Sequence, residues 1–141
     1  MFDTGGKHNS RLEGLVLDEF VAWGFQPEWN YPVDKFEIDF AFPELKLAIE
    51  IDGAKFHRED QKERDSWRQK ILESKGWKFE RFDGWFAFKF TEVLVAKILL
   101  KYFPEELSEE IRKRAILKLG LYFKKLDIDV DLGDSLLRET I

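Results

Sequence analysis

The chain has 141 residues, of which 44% are hydrophobic and 16% aromatic, enough apolar material for one buried core, so a single globular domain is expected. With no cysteine and only His8 and His57, disulfide frameworks, thiolate zinc sites and multi-histidine metal sites are excluded; any metal must sit mainly on oxygen, which favours Mg²⁺, Mn²⁺ or Ca²⁺. A net charge of −5 argues against nonspecific coating of nucleic acid, which rests on many cationic contacts to phosphates.

Residues 1–9 combine adjacent glycines with polar neighbours and no periodicity, and read as a flexible lead-in. They lack the apolar stretch of a signal peptide, and no apolar run approaches the roughly 18 residues of a membrane span, so a soluble cytoplasmic protein is expected. From Ser10, a potential cap, Leu12, Leu15, Val16, Phe20 and Trp23 recur at helical spacing up to Gly24, which predicts an amphipathic helix over 10–23. Residues 26–32, with two prolines, read as a connection.

Residues 35–42 and 47–52 alternate apolar with polar or small residues, and the short segment 43–46 between them predicts an antiparallel hairpin closed by Gly53. A highly charged helix is expected over 58–75, with a narrow apolar stripe of Trp67, Ile71 and Leu72 and a stop at Gly76. Alternation resumes over 77–82, a third strand entered after a helical crossover. Helices are expected over 91–102 and 105–124, separated by Pro104, and 127–141 is an acidic tail. The fold class is therefore α/β (α+β), with a core over 10–90 and a helical extension over 91–141 packed on it as part of the same domain.

If Phe42 pairs with Leu47, opposed residue numbers sum to 89, which sets Asp39 opposite Glu50 and Glu37 opposite Asp52. Four carboxylates then share one face, and Phe36, Ile38, Phe40, Phe42, Leu47, Ile49 and Ile51 form the other. Directly opposed like charges destabilise a hairpin, so the acids either bind a divalent cation or form the wet face of a two-sided sheet.

Asp39-Phe40, the later Glu50-Ile-Asp-Gly53, Phe56-His57, a charged helix with Asp65 and Arg68, and Gly76-Trp77 running into Arg81-Phe82 follow one another in an order that resembles the Vsr-like branch of the PD-(D/E)xK nuclease superfamily, over about residues 10–83. The resemblance implies a restriction-endonuclease-like core of N-terminal helix, antiparallel hairpin, crossover helix and further strand. It also implies divalent-metal-dependent hydrolysis of DNA phosphodiesters, with Mg²⁺ or Mn²⁺ as cofactor and DNA as partner. By resemblance Asp39 is the metal-binding aspartate, Glu50 the acid of the second motif, and Asp52, standing where the superfamily usually has lysine, a further ligand or water-orienting group. His57 matches a histidine thought to activate water, and Lys55 is a second candidate for the missing positive charge. Glu13 matches a helical glutamate of such sites, but Ser10-x-x-Glu13 is equally a capping box.

Gln61, Arg64, Asp65 and Arg68 can share a helix face, either as a salt-bridged surface or as a nucleic-acid-binding stripe facing phosphates. The aromatic run 85–90 reads as core packing, with base stacking as its functional alternative. The helices beyond Phe90 could form a homodimer surface or bind a partner protein. The rival to an endonuclease is a noncatalytic nucleic-acid-binding or protein-interaction module that keeps the fold.

Overall fold

Helix α1 (Ser10–Ala22) forms because Val16 and Phe20, one turn apart, bury completely together with Trp23 just beyond its end. Its C-terminus closes as a Schellman motif: Phe25 N–H donates to Phe20 O and Gly24 N–H to Val21 O, with Gly24 at φ +91°. The same motif ends α2, where Trp77 N–H donates to Leu72 O, Gly76 N–H donates to Glu73 O, and Gly76 takes φ +98°. Both positions require the left-handed conformation that glycine adopts without steric cost.

The structure is a computed structural model that describes residues 10–53 and 59–126. Two compact units divide between Lys89 and Phe90. The first carries α1, strands β1 (Glu28–Val33), β2 (Phe36–Phe42) and β3 (Leu47–Asp52), helix α2 (Glu59–Ser74), strand β4 (Lys78–Asp83) and helix α3 (Gly84–Lys89). The second carries α4 (Thr91–Tyr102) and α5 (Glu109–Lys125). This is a mixed α/β architecture consistent with a restriction-endonuclease-like α+β fold. None of the described helices is long and apolar enough to cross a membrane.

The four strands form one sheet in the order β1-β2-β3-β4. The β2–β3 hairpin has the expected register, Phe42 with Leu47, Ala41 with Ala48 and Phe40 with Ile49, around a 3₁₀ turn (Pro43–Leu45) and Lys46 at φ +50°. Helix α2 then crosses over, so β4 lies parallel to β3, from Leu47–Lys78 to Asp52–Asp83.

Three local expectations are corrected. Residues 28–33 are a strand rather than a connection: β1 pairs antiparallel with β2 at the sheet edge. An edge strand tolerates Pro32, and with Glu28, Trp29, Asn30 and Pro32 all exposed it lacks the alternation that betrays a strand. Second, the β2–β3 ladder ends at Phe40–Ile49, so Glu37 and Asp52 form no cross-strand pair; their ladder partners are Pro32 of β1 and Asp83 of β4. The four-carboxylate face therefore does not form. Third, Phe36 and Ile38 pack with Ala41, Ala48, Leu72 and Trp77, whereas Phe42 meets Phe20 of α1 edge-on at 5.7 Å. The strict alternation of β2 is thus broken around Asp39, where the β1–β2 register skips from Trp29–Phe40 to Tyr31–Ile38 across Asn30 at φ +55°.

The aromatic run after β4 is not uniformly core. It folds as α3, with Ala87 buried but Trp85 and Phe88 61% and 62% exposed, because a helix sends its side chains around the axis where a strand would send them to two faces. In the second unit, seven residues of α4 are buried, Phe90 meets Tyr122 at 4.9 Å, and Lys118 pairs with Glu92 at 2.7 Å. Helix α5 begins four residues later than expected, because Ser108 caps it by accepting from Ile111 N–H.

Candidate active site

The hairpin positions the site by coming apart. After Phe40–Ile49 the next opposed pair is Asp39 and Glu50, and there the backbone ladder is replaced by side chains. Asp39 N–H donates to Glu50 Oε2 at 3.3 Å, and Ile51 N–H donates to Asp39 Oδ2 at 2.9 Å. Each carboxylate satisfies a main-chain donor that the parting strands would otherwise orphan, so the two acids are locked to the scaffold and to each other.

Crowding of negative charge is the dominant electrostatic feature. Burial, then the neighbouring carboxylates of Glu50 and Glu13, push the Asp39 carboxyl up from 3.8 to about 8, against the smaller opposing effects of the Ile51 N–H and the Arg68 guanidinium. Glu13 reaches the cluster from α1, is buried, and accepts at Oε1 from the Trp29 indole N–H at 2.8 Å. That long-range bond and the effect on Asp39 place Glu13 at the site; the Ser10 side chain of the capping-box reading lies outside the described residues.

Two arginines face the acids. Arg68 Nη2 donates to Glu50 Oε2 at 2.9 Å and to Glu37 O at 2.6 Å. Arg68 therefore points at the acid pair, a correction to its place on a solvated, salt-bridged helix surface. Arg81, next to Glu50 in the parallel register, donates through Nη1 to Asp52 Oδ1 at 3.0 Å, lies 3.9 Å from Glu50 Oε1, and donates through Nε to Gln69 Oε1 at 2.8 Å.

Of the expected site residues, Asp39, Glu50 and Glu13 come together, and Asp52 turns to Arg81. Arg64 is exposed on α2. Lys55, His57 and the Gln61 side chain lie outside the described residues. Arg81, Gln69 and Trp29 were not anticipated. Alternation marked Arg81 as a strand residue, but its neighbour could be named only from the β3–β4 register.

Asp39, Glu50 and Asp52 do not form a ready-made trio: among the described residues, no three His, Cys, Asp or Glu side chains gather closely enough to hold a metal ion. The donor chemistry nevertheless fits a hard cation. Asp39 Oδ1 and Glu50 Oε1 receive no hydrogen bond from any described residue, and a cation between these acids would relieve the repulsion that raises Asp39.

Residues 13–98, a span that includes Glu13, Asp39, Glu50 and Arg81, match the restriction endonuclease-like family REase_MTES_1575. Over 77 residues, 55% of the chain, the sequence is 31% identical to an uncharacterized protein of Haemophilus influenzae, of which the match covers 64%. The chain thus spans just under two thirds of the length of that curated relative. No solved structure matches it significantly.

Proposed function

Since the chain belongs to the restriction endonuclease-like family REase_MTES_1575, we propose that it is a divalent-metal-dependent DNA endonuclease of the PD-(D/E)xK type, close to the Vsr-like branch. The observation that carries this reading is the Asp39–Glu50 interlock, with Glu13 close by, at the point where the hairpin ladder ends. The reaction consumes one water and one phosphodiester and yields a phosphate monoester and a hydroxyl. Asp39 and Glu50 would hold Mg²⁺ or Mn²⁺, which when bound supplies positive charge to the phosphoryl oxygen and acidifies water.

The chain's own groups do the positioning. Bonds to Ile51 N–H and Asp39 N–H fix where the two carboxylates stand, and Arg68 restrains Glu50 from the α2 side. Glu13 raises the local density of negative charge, which favours positive charge at Asp39, a proton or a divalent cation. His57 and Lys55 are the candidates for proton transfer. Supercoiled plasmid incubated with Mg²⁺, with Mn²⁺ and with EDTA tests the proposal: metal-dependent relaxation or linearisation is expected, and intact plasmid under all three conditions would overturn it.

One observation favours a second reading, a noncatalytic nucleic-acid-binding module that keeps the nuclease fold. Arg68 already neutralises Glu50, and Asp52 is already neutralised by Arg81, so part of the acid cluster is internally compensated. Such a module would bind DNA with unchanged affinity whether Mn²⁺ or EDTA is present and would leave the plasmid intact.

A further inference from the structure

Resting on the nuclease reading, we propose that Arg81 is a catalytic residue that binds a nonbridging oxygen of the scissile phosphate, and that Asp52 and Gln69 are positioning residues for its guanidinium rather than members of a metal-ligand set. The parallel β3–β4 register sets Arg81 directly beside Glu50, on the face of the sheet that carries the acids. Its guanidinium is held at two points, Nε to Gln69 Oε1 at 2.8 Å and Nη1 to Asp52 Oδ1 at 3.0 Å, with Nη1 3.9 Å from Glu50 Oε1. The planar group therefore has a fixed orientation, and its Nη2 donates to no described residue. The side chain is 30% exposed, against 17% for Arg68.

Arg81, Asp52 and Gln69 line an open cavity of about 360 Å³, completed from α2 by residues that include Lys62, Lys70, Asp65 and Glu73. A phosphodiester approaching Glu50 from this side meets one oriented guanidinium with both N–H groups of Nη2 available, while Lys62 and Lys70 offset the carboxylates of Asp65 and Glu73 around the cavity. Without such a cation the carboxylates of Glu13, Asp39 and Glu50 would repel it. The remaining Nη2 group suits this task, because an N–H donor that carries positive charge binds an anionic phosphate oxygen more strongly than a neutral donor does. When water adds to phosphorus and the bond to the leaving oxygen breaks, negative charge accumulates on the nonbridging oxygens, where a prepositioned cation acts. Asp52 then has a defined role: its carboxylate holds Arg81 through Oδ1.

The test uses the full chain and its Arg81→Ala, Arg81→Lys, Gln69→Ala and Asp52→Asn variants, with melting curves to confirm folding. Cleavage of a short labelled duplex is followed under single turnover with Mn²⁺ at saturating protein, and duplex binding by anisotropy in EDTA across a salt series. Arg81→Ala should slow cleavage on the order of 100-fold, with partial recovery in Arg81→Lys or on adding millimolar guanidinium. Its log Kd against log salt slope should fall by about one. Gln69→Ala and Asp52→Asn should slow cleavage by roughly tenfold without rescue by guanidinium, through loss of orientation. Mn²⁺ affinity of Asp52→Asn, read by electron paramagnetic resonance, should stay within about twofold of the parent, since no ligand is lost. A tenfold loss of Mn²⁺ affinity would overturn the positioning role and make Asp52 a ligand. If Arg81→Ala matches the parent in both rate and salt slope, the assignment of Arg81 fails. Should the parent itself not cleave, the nuclease reading fails separately, and the salt slope alone decides whether Arg81 contacts phosphate.

Discussion

Replacing Asp39 by Asn should stabilise the metal-free chain, and by an amount that depends on pH in a defined way. In the folded chain burial, Glu50 and Glu13 push the Asp39 carboxyl up to about 8, whereas in the unfolded chain it titrates near 4. The folded state therefore holds this proton more tightly than the unfolded state. Below about pH 4 both states are protonated and Asp39 costs nothing. Between about pH 4 and 8 the unfolded state releases the proton and the folded state keeps it, so stability falls by about 1.4 kcal/mol per pH unit. Above about pH 8 the loss levels off at on the order of 5 kcal/mol, a large fraction of the roughly 5–15 kcal/mol that holds a domain together. Asparagine never ionises, and its oxygen can still accept from Ile51 N–H. Urea melts of parent and Asp39→Asn at half-unit steps from pH 4 to 9, in EDTA, measure the difference directly, since the other titrating groups are shared. The two curves should coincide near pH 4 and diverge as pH rises, with the variant above the parent by several kcal/mol at pH 9. A difference that stays flat with pH, or a variant less stable at pH 9, would refute the crowding of carboxylates at Asp39.

Binding of Mn²⁺ at pH 7 should release close to one proton, because most Asp39 carboxyls start protonated; calorimetry in two buffers of different ionisation enthalpy reads the number, and a value near zero would count against Asp39 as a ligand. Glu13→Gln, which can still accept from the Trp29 indole and still serve a capping box, should lower turnover with little change in melting temperature; unchanged kinetics would return Glu13 to a structural role. Arg68→Ala leaves the buried Glu50 carboxylate without its nearest cation and should destabilise by about 3 kcal/mol, most of it recovered in the Arg68→Ala, Glu50→Gln double variant; additive losses in denaturant melts would show that the pair does not act as a unit.

Helix α1, the β2–β3 hairpin and its register were legible because local signals set them: the spacing of Val16 and Phe20, the stop at Gly24, and a short turn that leaves one way to oppose Phe42 and Leu47. Strand β1 was hidden because it is an edge strand in which only Tyr31 and Val33 pack against the core, and neither is fully buried, so its alternation is too short and weak to stand out beside two prolines. The acids were legible as residues of the hairpin but not as an arrangement. Opposing Glu37 to Asp52 presumed a ladder that continues past Phe40–Ile49, whereas side chains of Asp39 and Glu50 take over the backbone donors there. Arg81 was the largest omission at the site. Its place beside Glu50 follows from a parallel register fixed by the length and seating of the α2 crossover, a long-range property that no short window of sequence contains. The inward turn of Arg68 was hidden for the same reason, since helical spacing offered it Asp65 as a partner while the folded chain offers it Glu50.

If Asp39 and Glu50 form a working phosphodiesterase site, single-turnover cleavage of supercoiled plasmid in Mn²⁺ must separate the parent from Asp39→Asn and Glu50→Gln. The parent is expected to convert the plasmid, and each folded variant to lose on the order of 100-fold or more in rate. Equal rates in all three proteins, or no cleavage by the parent in either Mn²⁺ or Mg²⁺, would contradict it.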